Sequence, residues 1–190
     1  MCMQWLVDGI KRGENGIYIT FEEDDKALLD YLNCFGWDLH TLIAEHKLAI
    51  LHYTPQQVEH VLEAGGGIIR DTVEAINAKR IVIDSLTAFS LLHETEIEQR
   101  RAVLSLFDNL RKWDITSFVT SQFEESPNHP DSSMLVYETD AVIIIYSFLK
   151  SNKRVHGIEV FKVRGSNHSP LTYPLHITNK GVSIDARPLK

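Results

Sequence analysis

Cysteine is scarce in this sequence, with two residues in a chain of 190. Cys2 and Cys34 stand among apolar neighbours and do not show the spacing of a metal site. They therefore predict reduced thiols, which are typical of a cytoplasmic protein. Such a cysteine content excludes a small domain held together by disulfides.

A concentration of positive charge is also missing. The formal net charge is −7, and the basic residues occur as scattered pairs along the chain. A general nucleic-acid binder usually has a basic stripe that matches the phosphate backbone. The composition thus argues against nucleic acid as a partner, while a local basic patch formed by assembly of several chains stays open.

Long apolar runs are absent. The longest clean run, 141–146, has the length of a strand, whereas a membrane-spanning helix needs ~18 apolar residues. The N-terminal residues lack the basic region and the cleavage site of a secretory signal. The H-E-x-x-H and paired-cysteine spacings of zinc sites do not occur, nor does the G-x-S-x-G turn of serine hydrolases. We expect no membrane association, no structural zinc and no serine-hydrolase chemistry.

The apolar content, 44% against 24% charged residues, is enough for an ordinary core. We expect a single domain over residues 1–190, because ~150 residues per domain is typical. Periodicity predicts helices over 3–12, 25–35, 39–46, 68–78 and 95–113, another starting after Thr54, and strands over 17–21, 48–52, 80–83 and 117–121. Strands in hairpins follow over 141–148, 155–163, 175–178 and 182–185. This order predicts an α/β fold, with a mostly parallel sheet, helices on both faces and a C-terminal antiparallel hairpin extension.

Polar residues follow three of the predicted parallel strands, where ligands bind in open α/β sheets. Asp84 comes directly after the apolar strand 80–83. A carboxylate at this position can hold a magnesium ion, usually through water, beside the phosphates of a nucleotide. A helix cap or a turn would explain the same residue.

An acidic run follows the first predicted strand, and its first members are Glu22 and Glu23. Either carboxylate could act as a general base toward an attacking water. The alternative is electrostatic, because acidic residues at the start of a helix interact favourably with its dipole.

Two cationic side chains lie at the end of the predicted strand 155–163. Alternation along a strand places Lys162 and Arg164 on the same side, where together they could bind a triphosphate or another polyanion. A solvated strand face is the alternative. His168 follows four residues later and could simply belong to a turn.

The glycines Gly65–Gly67 lie between two predicted helices, and we interpret them as a hinge. No lysine follows them, and the G-x-x-x-x-G-K-[ST] spacing of a phosphate loop does not occur in the chain. The polar, proline-containing segment 124–133 predicts a mobile loop.

Five segments together resemble the KaiC family of RecA-like ATPases in order and spacing. They are 17–23 (IYITFEE), 35–39 (FGWDL), 81–86 (IVIDSL), 160–168 (VFKVRGSNH) and 177–181 (ITNKG). The resemblance spans nearly the whole chain and implies a RecA-like fold that binds ATP and Mg²⁺.

The resemblance also implies a role for each matching residue. Glu22 and Glu23 match the catalytic glutamate pair, and Asp84 matches the Walker B aspartate near magnesium. Gln122 is similar to the glutamine that senses the γ-phosphate. Lys162 and Arg164 match the residues that reach ATP held by a neighbouring protomer, and His168 lies in the same loop. Such residues in trans imply a homo-oligomeric ring, commonly a hexamer.

The chain departs from the family pattern in two places. The helix over 3–12 would directly follow the phosphate loop (Walker A), so we expect that the loop and the strand before it, which would lie between 117–121 and 141–148, are missing from this sequence. Val136 and Tyr137 stand where some members have an autophosphorylated Ser-Thr pair, so we expect no such phosphorylation. Three hypotheses remain: an ATPase domain in a ring, a non-catalytic module that binds a partner protein, and a recombinase-like DNA-binding protein.

Overall fold

The computed structural model describes residues 1–21, 24–54, 56–58, 67–90, 92–122 and 137–189. The chain divides into two compact units, 1–123 and 124–190. Each unit contains one four-stranded sheet. The predicted helix start at Pro55, the glycines Gly65 and Gly66, and the predicted loop 124–133 lie outside the described residues.

The first unit alternates helices and strands, as the sequence predicts. Its helices are α1 (Cys2–Lys11), α2 (Asp25–Leu32, followed by a 3-10 turn over Asn33–Phe35), α3 (Leu39–Ala44), α4 (Gly67–Ala75), α5 (Leu86–Ser90) and α6 (Glu96–Lys112). Its strands are β1 (Asn15–Thr20), β2 (Leu48–His52), β3 (Ala78–Asp84) and β4 (Thr116–Val119).

The sheet of the first unit is parallel, in the order β2-β1-β3-β4. The central strands are buried over almost their whole length, with Ile17–Ile19 in β1 and Ile81–Ile83 in β3 enclosed. Such continuous apolar runs are expected where a parallel sheet is covered on both faces. The predicted α/β class is therefore confirmed.

Local signals set several helix bounds. Thr95 and Glu98 form a reciprocal capping box at the start of α6. Gly36 ends the turn after α2 with φ of 72°, a conformation in which a side chain would be strained. The predicted helix over 68–78 is too long, because Asn77 turns to a φ of 48° and β3 already begins at Ala78. The short helix α5 was not predicted.

The second unit is an antiparallel meander of four strands. They are β5 (Ala141–Lys150), β6 (Lys153–Val163), β7 (Tyr173–Thr178) and β8 (Gly181–Ile184), hydrogen-bonded in chain order. A two-residue turn joins β5 to β6, with Ser151 and Asn152 both at positive φ, as a tight hairpin requires. This unit confirms the predicted antiparallel extension.

Within the described part of the chain, no helix is both long and apolar enough to cross a membrane. Strands β4 and β5 are each at an edge of their sheet as described. The single-domain organisation over residues 1–190 stays a prediction. So does the strand that is expected between the predicted strands 117–121 and 141–148.

Arg80 fastens α1 to the sheet at the amino end of β3. Its guanidinium donates to the carboxylate of Glu14 over 2.6 Å and to the carbonyl oxygen of Trp5 over 2.7 Å. It also lies over the Trp5 ring, 4.8 Å from the ring centroid. A Cβ built on Gly9 would meet this guanidinium at 2.5 Å. The arginine thus needs a glycine on α1 to make these contacts.

We expect Arg80→Met to lower the free energy of unfolding by about 2 kcal/mol, because charge-assisted hydrogen bonds at a 13%-exposed side chain are lost. Arg70→Met is the matched control, since the Arg70–Glu74 pair on α4 is 58% and 63% exposed and should contribute less than about 0.5 kcal/mol. Urea denaturation of both variants measures the difference. Equal losses would contradict the role given to Arg80.

Candidate functional site

Asp84 lies where three parallel strands end at the same edge of the sheet. Thr20 of β1 is paired with Asp84, and Val119 of β4 is paired with Ile83. The residues after these strands therefore meet around the Asp84 side chain. This is the edge at which ligands bind in open α/β sheets.

Hydrogen bonds fix both the side chain and the main chain of Asp84. The hydroxyl of Tyr18 donates to its Oδ2 atom, and the hydroxyl of Thr120 donates to Oδ1 over 2.6 Å. The backbone N–H of Phe21 donates to its carbonyl oxygen over 3.0 Å. An ionised carboxylate has about four acceptor positions, so the two hydroxyl donors leave further positions for other donors.

Ser85 follows Asp84 through a cis peptide bond and is 8% exposed. Its Oγ atom is buried and has no hydrogen-bond partner among the described residues. A buried hydroxyl left unpaired costs free energy. The hydroxyl therefore fits a site in which a further polar group, such as a ligand oxygen or a water, lies against the end of β3.

The start of α5 is tied to the end of β4. Leu86 donates its N–H to the carbonyl oxygen of Thr120 over 2.8 Å. Thr87 Oγ1 accepts the N–H of Gln122 over 2.9 Å and lies 3.3 Å from the Ser121 hydroxyl. These bonds fix the main chain of Gln122 beside the segment that begins with Asp84, and its role as a γ-phosphate sensor stays a prediction.

Few protein atoms would bind a magnesium ion directly at this site. Among the described residues, no group of three or more His, Cys, Asp or Glu side chains could together hold a metal ion. Mg²⁺ commonly keeps several waters and takes one or two carboxylates plus substrate phosphates. An oriented carboxylate with an unpaired buried hydroxyl beside it fits that mode of binding.

Glu22 and Glu23 lie outside the described residues, so their predicted role is untested. Asp24, which follows them, begins α2 and accepts hydrogen bonds from the N–H groups of Ala27 and Lys26, each over 2.9 Å. These bonds, the one from Ala27 most of all, hold the pKa of Asp24 below its usual range. At least this member of the acidic run lies at the start of a helix, where the alternative interpretation of the run places it.

In the second unit, Lys162 and Arg164 both contact the segment 137–140. The Lys162 ammonium donates to the carbonyl oxygen of Thr139 over 2.8 Å. The Arg164 guanidinium donates to the Asp140 carboxylate over 3.2 Å and to the carbonyl oxygen of Tyr137. The two cations are thus held side by side at the end of β6. His168 is half-buried, and its Nδ1 atom has no hydrogen-bond partner among the described residues.

Tyr18 and Thr87 were not predicted as site residues, and Ser85 and Thr120 were predicted only as polar residues at strand ends. Tyr18 occupies an apolar position of a buried strand, so nothing in the sequence separates it from the core. Only the register of β1 against β3 shows that its hydroxyl is directed at Asp84. Thr120 was detectable in part, because it ends a strand next to the strand of Asp84.

Comparison with known proteins assigns the family. The family model described as "ATPase: KaiC" matches residues 1–188. The chain belongs to the KaiC family of ATPases. It is 34% identical over 186 residues to the circadian clock protein KaiC3 of Synechocystis, with 93% of this chain aligned. It is 33% identical over 193 residues to the circadian clock oscillator protein KaiC of Nostoc, with 97% of this chain aligned.

A solved structure confirms the fold of this KaiC-family chain. The KaiC-like protein of Pyrococcus horikoshii superposes with a TM-score of 0.83 at 28% identity, covering 97% of this chain and 82% of that one. The expected RecA-like ATPase domain is therefore confirmed. The chain spans only 37% of the length of the two cyanobacterial relatives.

A half-buried tyrosine, Tyr146, stabilises the strand that ends at the two cations. Tyr146 donates to Glu159 over 2.7 Å, and Thr172 donates to the other carboxylate oxygen over 3.0 Å. Burial, together with the hydrogen bond to Glu159 and its negative charge, raises the pKa of Tyr146 to about 12. The contact joins β5 to β6 three residues before Lys162.

We expect Tyr146→Phe to remove one late-titrating component, near pH 12, from an alkaline absorbance titration. Because the folded state holds this proton more tightly, the associated stability is complete below the unfolded pKa of ~10 and is lost as the pH rises toward about 12. Tyr31→Phe, at an exposed tyrosine, is the control. A late component of the same amplitude in Tyr146→Phe as in the wild type would contradict the assignment.

Proposed function

We propose that this chain is the ATP-binding and ATP-hydrolysing domain of a cytoplasmic, ring-forming KaiC-type protein, with each ATP bound between two protomers. The geometry around Asp84 supports this proposal most directly. A carboxylate at the end of the central strand is oriented by two hydroxyls and lies beside a buried, unpaired serine hydroxyl. A purely structural carboxylate would need no unpaired hydroxyl beside it.

In this proposal Asp84 accepts hydrogen bonds from the waters of a magnesium ion. The ion, when bound, neutralises negative charge on the ATP phosphates. Gln122, whose main chain is fixed by Thr87, directs its amide toward the γ-phosphate. Glu22 and Glu23 orient and deprotonate the attacking water, the role that the family resemblance gives them.

Lys162 and Arg164 would stabilise transition-state charge on the ATP of a neighbouring protomer. Their present contacts are compatible with that role. The Arg164–Asp140 pair is 50% and 83% exposed, and ion pairs that exposed contribute ~0–1 kcal/mol. Exchanging this partner for a phosphate would therefore cost little. His168 belongs to the same loop and would lie at the same interface.

Contacts in trans require an assembly in which unlike surfaces meet and the ring closes. We propose a homo-hexamer, which the resemblance favours. ATP is then the main small-molecule partner. Nucleic acid is not expected as a partner, because the chain has a net charge of −7 and no basic stripe.

The first test uses the glutamate pair. It is carried out on the protein at its full natural length. We expect Glu22→Gln combined with Glu23→Gln to leave ATP binding intact and to lower turnover by at least about 100-fold, because a general base is lost. Steady-state phosphate release and equilibrium ATP binding are the two measurements.

The matched control is Asp24→Asn combined with Asp25→Asn. It removes the same charge from the adjoining positions and keeps a residue that caps α2 well. Turnover near the wild-type level is expected. Unchanged turnover in the glutamine variant would exclude the proposed role of the glutamate pair.

Subunit mixing tests whether Arg164 acts in trans. Arg164→Met and the double glutamine variant should each be inactive alone. Mixed rings should recover part of the activity, because some interfaces combine an intact arginine with an intact glutamate pair. Failure to recover activity, with mixed assembly shown by native mass spectrometry, would contradict catalysis between protomers.

A second candidate function rests on Lys162 and Arg164, whose contacts lie within the second unit. In that case the chain is a non-catalytic module that lends Lys162 and Arg164 to the site of a partner protein. Adding the chain to a KaiC-type relative that contains the phosphate loop should then stimulate ATP hydrolysis by the relative. An unchanged rate would argue against this function.

A further inference from the structure

Tyr18 is placed to hold the Asp84 carboxylate from the side of β1. Tyr18 lies two residues before Thr20, which is the register partner of Asp84. Residues two apart in a strand face the same side of the sheet, so the Tyr18 side chain extends along the sheet toward Asp84. Its hydroxyl donates to Oδ2, whereas Thr120, which follows β4, donates to Oδ1. The carboxylate is thereby held from both neighbouring strands.

The ring of Tyr18 is itself immobilised by packing. The residue is 6% exposed and belongs to a core cluster with Met3, Leu6 and Val7 of α1 and with Val82 of β3. Such burial fixes the position of the ring before any ligand arrives. A phenylalanine would fill almost the same space, so the hydroxyl adds a hydrogen bond to a position that packing alone could satisfy.

We propose that Tyr18 is a positioning residue for the metal site of this domain, acting through Asp84. Its hydroxyl restricts the carboxylate to one orientation and leaves the remaining acceptor positions directed away from β1 and β4. Partners that orient a metal-binding carboxylate generally contribute to metal affinity. The inference rests on the proposed function, since it requires Asp84 to bind Mg²⁺ through water.

The test measures Mn²⁺ affinity by electron paramagnetic resonance in the presence of ADP. It uses the protein at its full natural length. Mn²⁺ replaces Mg²⁺ as the probe. We expect Tyr18→Phe to weaken Mn²⁺ binding by about tenfold. ADP binding without metal should stay unchanged, because Tyr18 acts on the carboxylate and does not contact the nucleotide.

Tyr53→Phe is the matched control. Tyr53 follows the neighbouring strand β2, and burial raises the pKa of its hydroxyl. In the described structure Tyr53 forms no hydrogen bond with Asp84. The Mn²⁺ affinity of the Tyr53→Phe variant should therefore equal that of the wild type. Equal weakening in Tyr18→Phe and Tyr53→Phe would overturn the inference, because a general loosening of the sheet would then explain both.

Asp84→Asn separates failure of this inference from failure of the proposed function. If Asp84→Asn weakens Mn²⁺ binding and Tyr18→Phe does not, the positioning role is wrong and the metal site stands. If the wild type shows no metal-dependent binding, or Asp84→Asn leaves it unchanged, the proposed function fails and the inference fails with it.

A measurement on the wild type covers the case in which Tyr18→Phe does not fold. With ¹³C at the ring carbon that bears the hydroxyl, the NMR resonance of Tyr18 should shift when Mg²⁺ saturates the ADP-bound protein. The Tyr53 resonance should not shift. A Tyr18 resonance that is insensitive to Mg²⁺ would overturn the inference.

Discussion

The hydrogen bonds that close around the Asp84 carboxylate are the constraint on which the candidate site depends. They require β1 and β4 to flank β3 in parallel and in one register, so that Tyr18 and Thr120 reach opposite oxygens. A slip of one residue would turn the side chains to the other face of the sheet. Pairing along the whole length of the strands therefore sets the positions of the side chains at the strand ends.

The same strand also fixes α1, the helix that packs against Tyr18 and Val82. Arg80, Val82 and Asp84 are two residues apart and so face one side of β3. Arg80 bonds to the backbone of α1 at the amino end of the strand, and Val82 packs in the cluster that contains Leu6 and Tyr18. A cation, an apolar side chain and an anion thus follow one another along one face of β3. The helix that immobilises the Tyr18 ring is held by a contact at the far end of the strand.

Much of the fold could be predicted from the sequence, because local signals were strong. Strand β2 has its predicted bounds, and α6 begins at a capping box that three residues of spacing reveal. The predicted helix before β3 is longer than the observed one, because its apolar periodicity does not indicate the positive φ of Asn77. Asp84 could be found from its place after an apolar strand. Tyr18 could not, because its role depends on strand register, which the sequence does not state.

The polar cluster around Asp84 also bears on the choice between the two candidate functions. Replacing a buried hydrogen-bonded group by an apolar one of the same shape is often neutral or stabilising. Here the carboxyl end of β3 has instead a half-buried carboxylate, two hydroxyls that donate to it and a buried serine hydroxyl without a partner among the described residues. Local departures from good packing of this kind are expected at functional sites. A module that only lent Lys162 and Arg164 to a partner would need none of these groups, so the geometry favours nucleotide chemistry at Asp84.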